Sequence, residues 1–190
     1  MFHNGPPPNP DHPDCETIPI EQFKTASWDR SNRLIKLLAR HTELHADIED
    51  QIRTCIQEIA QNIVDHAESP IGGVMAARYI AASRQVRVGI VDRGIGIAAA
   101  LRRGFSDTSD SAIALERVVK GGFSSKSRLN NMGLGVSNLF SLVKSGGGHM
   151  ALFTGDAYAE VHGLMPKPLI RQIGCVFPGT AVFFGLPVTE

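Results

Sequence analysis

Glu58, Asn62 and His66 stand four residues apart inside an unbroken helical pattern, so their side chains fall along one ridge. A carboxylate there can take a proton from an attacking water or hydroxyl. The amide oxygen one turn further on suits a magnesium ion that otherwise keeps waters and phosphate oxygens. The imidazole beyond it can touch a phosphate. This ridge borders an apolar stripe of Ile48, Ile52, Cys55, Ile56, Ile59, Ala60, Ile63 and Ala67. The three groups therefore belong at a half-buried rim. The plain alternative is a solvated helix face.

Asp92 ends an apolar strand and is followed by Arg93, Gly94, Ile95, Gly96 and Ile97. A carboxylate is an acceptor fit for the exocyclic amine of adenine, and the glycines let backbone run close to a ligand. An ordinary strand-ending turn has the same composition. A sharper rival is the dinucleotide fingerprint, which Gly94-Ile-Gly96-Ile-Ala-Ala99 fits and which implies an oxidoreductase. Against it, Asp92 sets negative charge near the pyrophosphate position, and the following helix is short and runs into Arg102, Arg103 and Gly104.

Gly133, Leu134, Gly135 and Val136 open a later helix, where free amides and the positive dipole end attract phosphate. Lys126, Arg128, Asn130 and Asn131 stand just before it, placed to close over a γ-phosphate. The plain reading is a loop-to-helix junction using glycine for its geometry. Gly179-Thr180 precedes the last strand and can return a hydroxyl toward Asp92. No Gly-x-x-x-x-Gly-Lys-Ser/Thr occurs, so a P-loop is excluded. Taken together, these segments predict a pocket for magnesium-bound ATP.

The elements that must position them follow from periodicity and breakers. Residues 1–16 carry Pro6, Pro7, Pro8, Pro10 and Pro13 and read as a disordered arm. Residues 17–190 read as a single domain. Ile18 to Phe23 reads as a short edge strand, and Asp29 or Ser31 as the cap of a helix with Leu34, Ile35, Leu37 and Leu38. The ridge helix stops at Pro70 and Gly72-Gly73. Val74 to Ala81 and Gln85 to Val91 form a hairpin, with Val86, Val88 and Ile90 alternating. Helices follow over 98–103, 112–119 and 134–143. A long loop over 104–131 reads as a lid, and strands run over 149–153, 158–162 and 181–186. This order predicts an α/β (α+β) two-layer sandwich, a mixed sheet covered by helices on one face.

Composition narrows the class. Nineteen residues of each sign cancel, so no basic field gathers nucleic acid or anionic membrane. No apolar run reaches the roughly 20 residues a bilayer needs, and no signal-peptide layout opens the chain. Three scattered cysteines, Cys15, Cys55 and Cys175, lack zinc-site spacing and suit a reduced, cytoplasmic protein.

The succession Glu58…Asn62…His66, Asp92-x-Gly94-x-Gly96-Ile97, Gly133-Leu-Gly135 and Gly179-Thr180 resembles the Bergerat-fold (GHKL, histidine-kinase-like) ATPases over most of the chain. The resemblance implies ATP and Mg2+ as cofactors, Glu58 as the base and Asn62 as the metal ligand. It places His66 near phosphate, Asp92 on adenine, Gly94 and Gly96 in a first glycine box, Gly133 and Gly135 in a second, and Thr180 in the final segment. Within the superfamily the chain is most similar to the stand-alone anti-sigma-factor serine kinases, on Glu-x-x-x-Asn-x-x-x-His and on Ser124-Ser-Lys126 ahead of Gly-Leu-Gly. That implies transfer of the γ-phosphate to Ser or Thr of a small protein partner, and it leaves a homodimer open. An ATP-gated binding module with slow hydrolysis is the alternative. Departures are Asp65 beside His66, the long lid, and Gln172 to Gly179 as an extra loop.

Overall fold

A computed structural model describes residues 16–103, 110–120, 134–163, 165 and 167–188. Nearly all of the proline-rich arm, most of the lid with Lys126, and Gly133 lie outside the described residues.

The chain opens with strand β1 (Thr17–Phe23) and helix α1 (Trp28–Leu38). Ser27, not Asp29 or Ser31, caps α1: its hydroxyl accepts the Asp29 amide at 3.2 Å. Asp29 is left to face the helix dipole, and Ser31 is buried, donating to the Trp28 carbonyl. Arg33 pairs with Glu21 and ties α1 to β1. Helix α2 (Ala46–His66) follows and buries the stripe from Ile52 to Ile63. Its end is a left-handed Glu68 at φ 52°, with Pro70 beyond.

Strands β2 (Gly73–Ile80) and β3 (Gln85–Asp92) form the expected hairpin, joined by a 3-10 turn at Ala81–Ser83. Helices α3 (Gly96–Arg102), α4 (Ser111–Lys120) and α5 (Leu134–Ser145) then lead to β4 (His149–His162) and β5 (Leu169–Pro187). The sheet order is β1-β2-β3-β5-β4.

Among the described residues every strand pair is antiparallel, which corrects the expected mixed sheet. The helical crossover does bring the outgoing part of β4 back parallel to β3. However, β5 inserts between the two, so these two strands form no parallel ladder with each other.

Strand β4 cannot run straight, because 14 residues at about 3.3 Å each would separate its ends by over 40 Å. Instead the Gly163 amide donates to the Gly148 carbonyl at 2.9 Å, and the Phe153 and Tyr158 rings stack 5.6 Å apart. The chain doubles back at Gly155, whose φ is +56°, so the two strands expected over 149–153 and 158–162 are the two halves of one folded-back strand. The expected loop at Gln172 to Gly179 is instead part of β5. Leu169–Gln172 pairs with the returning half of β4, and Thr180–Gly185 with the outgoing half. Gly174, Pro178 and Gly179 imitate a turn in sequence, but the folded-back β4 supplies partners on both sides of this segment.

One sheet face, with Met75, Val88, Ile90, Leu152, Val182 and Phe184, is buried against the helices. The other leaves Phe183 44% exposed. The result is an α+β sandwich. Among the described residues no helix is long and apolar enough to cross a membrane.

Candidate functional site

A cleft of about 540 Å³, counting its open mouth, lies where the C-terminal half of α2 meets the sheet. Asn62 and His66 come from α2, Asp92 from the end of β3, Gly96 and Ile97 from the start of α3, Val136 from α5, and Thr180 from β5. Ile59, Ile63, Ile90 and Val182 supply apolar wall. Seven residues that sequence placed in one pocket therefore share one cavity.

At the sheet end Asp92 is 2% exposed. Its Oδ1 accepts the Gly94 amide at 2.7 Å. Burial pushes its carboxyl above the ordinary value of 3.8, while hydrogen bonds from Gly94 and from the Thr180 amide and hydroxyl hold it back. Gly179, at φ +94°, crosses directly behind it, and a β-carbon there would stand 2.7 Å from Asp92 Oδ1.

Gly94 does not line the cleft. A β-carbon on it would collide with the Ala67 carbonyl, and the next residue, Ile95, donates to that carbonyl at 2.8 Å. This glycine lets the end of β3 close onto the end of α2. Gly96 sits in the cleft wall at φ +75°, with its missing side chain aimed at Thr154 Oγ1.

Thr154 is the residue that sequence reasoning missed. It is 1% exposed, accepts the Ile97 amide at 2.9 Å and donates to the Gly179 carbonyl at 3.1 Å. One hydroxyl thus fastens the Gly96 turn to the Gly179 turn. Its only sequence signal was a polar residue beside Gly155, at the point where β4 folds back.

Glu58 does not line the cleft either. It packs on α5, where a β-carbon added to Gly135 would stand 2.7 Å from Glu58 Cβ and 3.2 Å from the Ile59 amide nitrogen. Burial raises the Glu58 carboxyl above its ordinary value of 4.5, and a hydrogen bond with Asn138 opposes the rise. Its Oε2 is buried and has no hydrogen-bond partner among the described residues. Leu134 begins α5. Lys126 and Gly133 lie outside the described residues.

The assembled groups are a buried acceptor, an amide and an imidazole set among apolar wall. A basic carboxylate waits one turn along α2. No family model and no curated protein matches the chain.

Proposed function

We propose that the cleft binds magnesium-ATP and that the protein transfers the γ-phosphate to a serine or threonine hydroxyl of a small protein partner, with a Bergerat-type arrangement of the nucleotide. The observation that carries this reading is that Asn62 and Asp92, thirty positions apart, line the same cavity.

The donor set fits the group. Asp92 is buried yet keeps acceptor capacity for an amine, as adenine requires. Ile63, Ile90, Ile97 and Val182 offer an apolar bed for a flat ring. Asn62 supplies an oxygen suited to magnesium, and His66 adds an imidazole to the same cleft. When bound, the metal would offset the negative charge of the phosphates. Glu58, made more basic by burial, would accept the hydroxyl proton as the oxygen attacks.

A second reading, an ATP-gated module with slow hydrolysis, draws on the position of Glu58 against Gly135 and Asn138 instead of on the cleft wall. The dinucleotide reading loses ground: α3 is seven residues long, and Gly94 is packed against Ala67 instead of facing a pyrophosphate.

Calorimetric titration with ATP and NADH separates the classes. ATP should bind with magnesium, NADH should not, and Asn62→Ala should weaken ATP by about tenfold or more, roughly 1.4 kcal/mol. Tight NADH binding without ATP binding ends the proposal. Glu58→Gln should keep nucleotide affinity and lose phosphate transfer. If partner response survives that change, the switch reading holds.

A further inference from the structure

A second cavity of about 710 Å³, open to solvent, lies between α2 and α5 on the far side of Glu58. Its lining is Asp50, Gln51, Thr54 and Cys55 from α2, with Asn138 and Ser141 from α5. On α2, Asp50, Thr54, Glu58, Asn62 and His66 follow one another at four-residue steps and form one ridge. Each step climbs about 6 Å. The ridge therefore starts in this groove, passes Glu58 and ends in the nucleotide cleft. Asn138 belongs to the groove and also hydrogen-bonds the Glu58 carboxyl. Beside that contact, Glu58 Oε2 is buried with no hydrogen-bond partner among the described residues.

We propose that this groove holds the phospho-acceptor segment of the protein substrate, an extended serine- or threonine-bearing stretch, whose hydroxyl reaches past Thr54 to meet both Glu58 and the γ-phosphate. The inference rests on the kinase reading above. The lining suits a peptide main chain: Gln51 and Asn138 each offer amide donors and an acceptor, and Thr54 offers a hydroxyl. Ser141 donates to the Ser137 carbonyl at 3.0 Å, and a hydroxyl oxygen can accept as well. Asp50, 82% exposed and only loosely paired with Arg53 at 3.9 Å, still sets a carboxylate at the groove's rim and disfavours an acidic residue beside the acceptor. Cys55 is buried and contributes only apolar floor.

In the transfer, the substrate hydroxyl oxygen bonds to the γ-phosphorus as the bond to the β–γ bridging oxygen breaks. The electron pair leaves with ADP, and the hydroxyl proton passes to Glu58.

The test uses an arrayed library of serine- and threonine-centred peptides with labelled magnesium-ATP, alongside Thr54→Arg and Ser141→Arg. These variants fill the groove from different helices without touching the cleft. Both should keep ATP affinity within about twofold and lose peptide labelling by about tenfold or more. The wild type should avoid peptides with acidic neighbours. Undiminished labelling in both variants overturns the groove and leaves the kinase reading standing. A wild type that binds ATP and labels no peptide overturns the kinase reading, and the groove with it. Loss of ATP affinity in both variants overturns the separation of groove from cleft on which the inference stands.

Discussion

Asp92 is a carboxyl group nearly cut off from water, and its few neighbours decide both its charge and its use. Burial raises its folded value, and the Gly94 and Thr180 hydrogen bonds only partly compensate. A group whose folded value is raised binds protons in the native state more tightly than in the unfolded chain. Its stabilising share is therefore complete below 3.8, its ordinary value, and is lost as pH rises through the raised value. Glu58 acts in the same direction, starting from 4.5. Asp92→Asn removes this titration, so urea unfolding of the variant should fall off less steeply with pH above 3.8 than that of the wild type. The same variant presents an NH2 or a neutral oxygen in place of the carboxylate and should weaken ATP by about tenfold or more, roughly 1.4 kcal/mol. An unchanged pH slope would show that Asp92 is not held at a raised value. A raised slope would reverse the sign of the argument.

At the scale of elements, the cleft depends on three turns being held in register: the α2 end, the β3–α3 junction, and the bend of β5 at Gly179. Thr154 joins the last two through one hydroxyl. Thr154→Val keeps the shape but leaves the Ile97 amide and the Gly179 carbonyl without that partner, at a cost of about 1–3 kcal/mol. Thr154→Ser restores the oxygen and should recover most of the loss, together with ATP affinity. A valine variant as stable as the serine variant in urea would remove Thr154 from this role. The same elements mark what sequence could convey. The three- and four-residue recurrence on α2 fixed where Asn62 and His66 point, since a long amphipathic helix has one way to bury its stripe. The alternation of Val86, Val88 and Ile90 placed Asp92 on the buried face. Thr154 carries no such periodic mark: its importance comes from a contact 57 positions away in sequence with Ile97. The antiparallel sheet was hidden for a related reason, because the insertion of β5 between β3 and β4 is a choice among long-range pairings that no local pattern encodes.

The whole molecule is two layers, and the cleft lies on the seam between them, with α2 and α5 on one side and β3 and β5 on the other. A ligand seated there contacts both layers at once, so pulling the layers apart on unfolding must first release it. A ligand that binds only the native state adds RT ln(1 + [L]/Kd), about 2.7 kcal/mol at one hundred times Kd. For a chain of this length each kcal/mol moves the melting temperature by about 2–4 °C. Magnesium-ATP at that excess should therefore raise Tm by about 5–11 °C. On the proposed arrangement Asn62 meets the metal and Asp92 the base, so their variants should respond differently. Asn62→Ala should shrink the gain from adding magnesium to ATP, because its amide acts on the metal. Asp92→Asn should lower the shift whether magnesium is present or chelated, because its carboxyl acts on the base. Scanning calorimetry of the three proteins with ATP, each with magnesium and with chelator, reads all of these shifts together. A wild-type Tm unmoved by saturating magnesium-ATP would mean that nothing bridges the two layers at this seam.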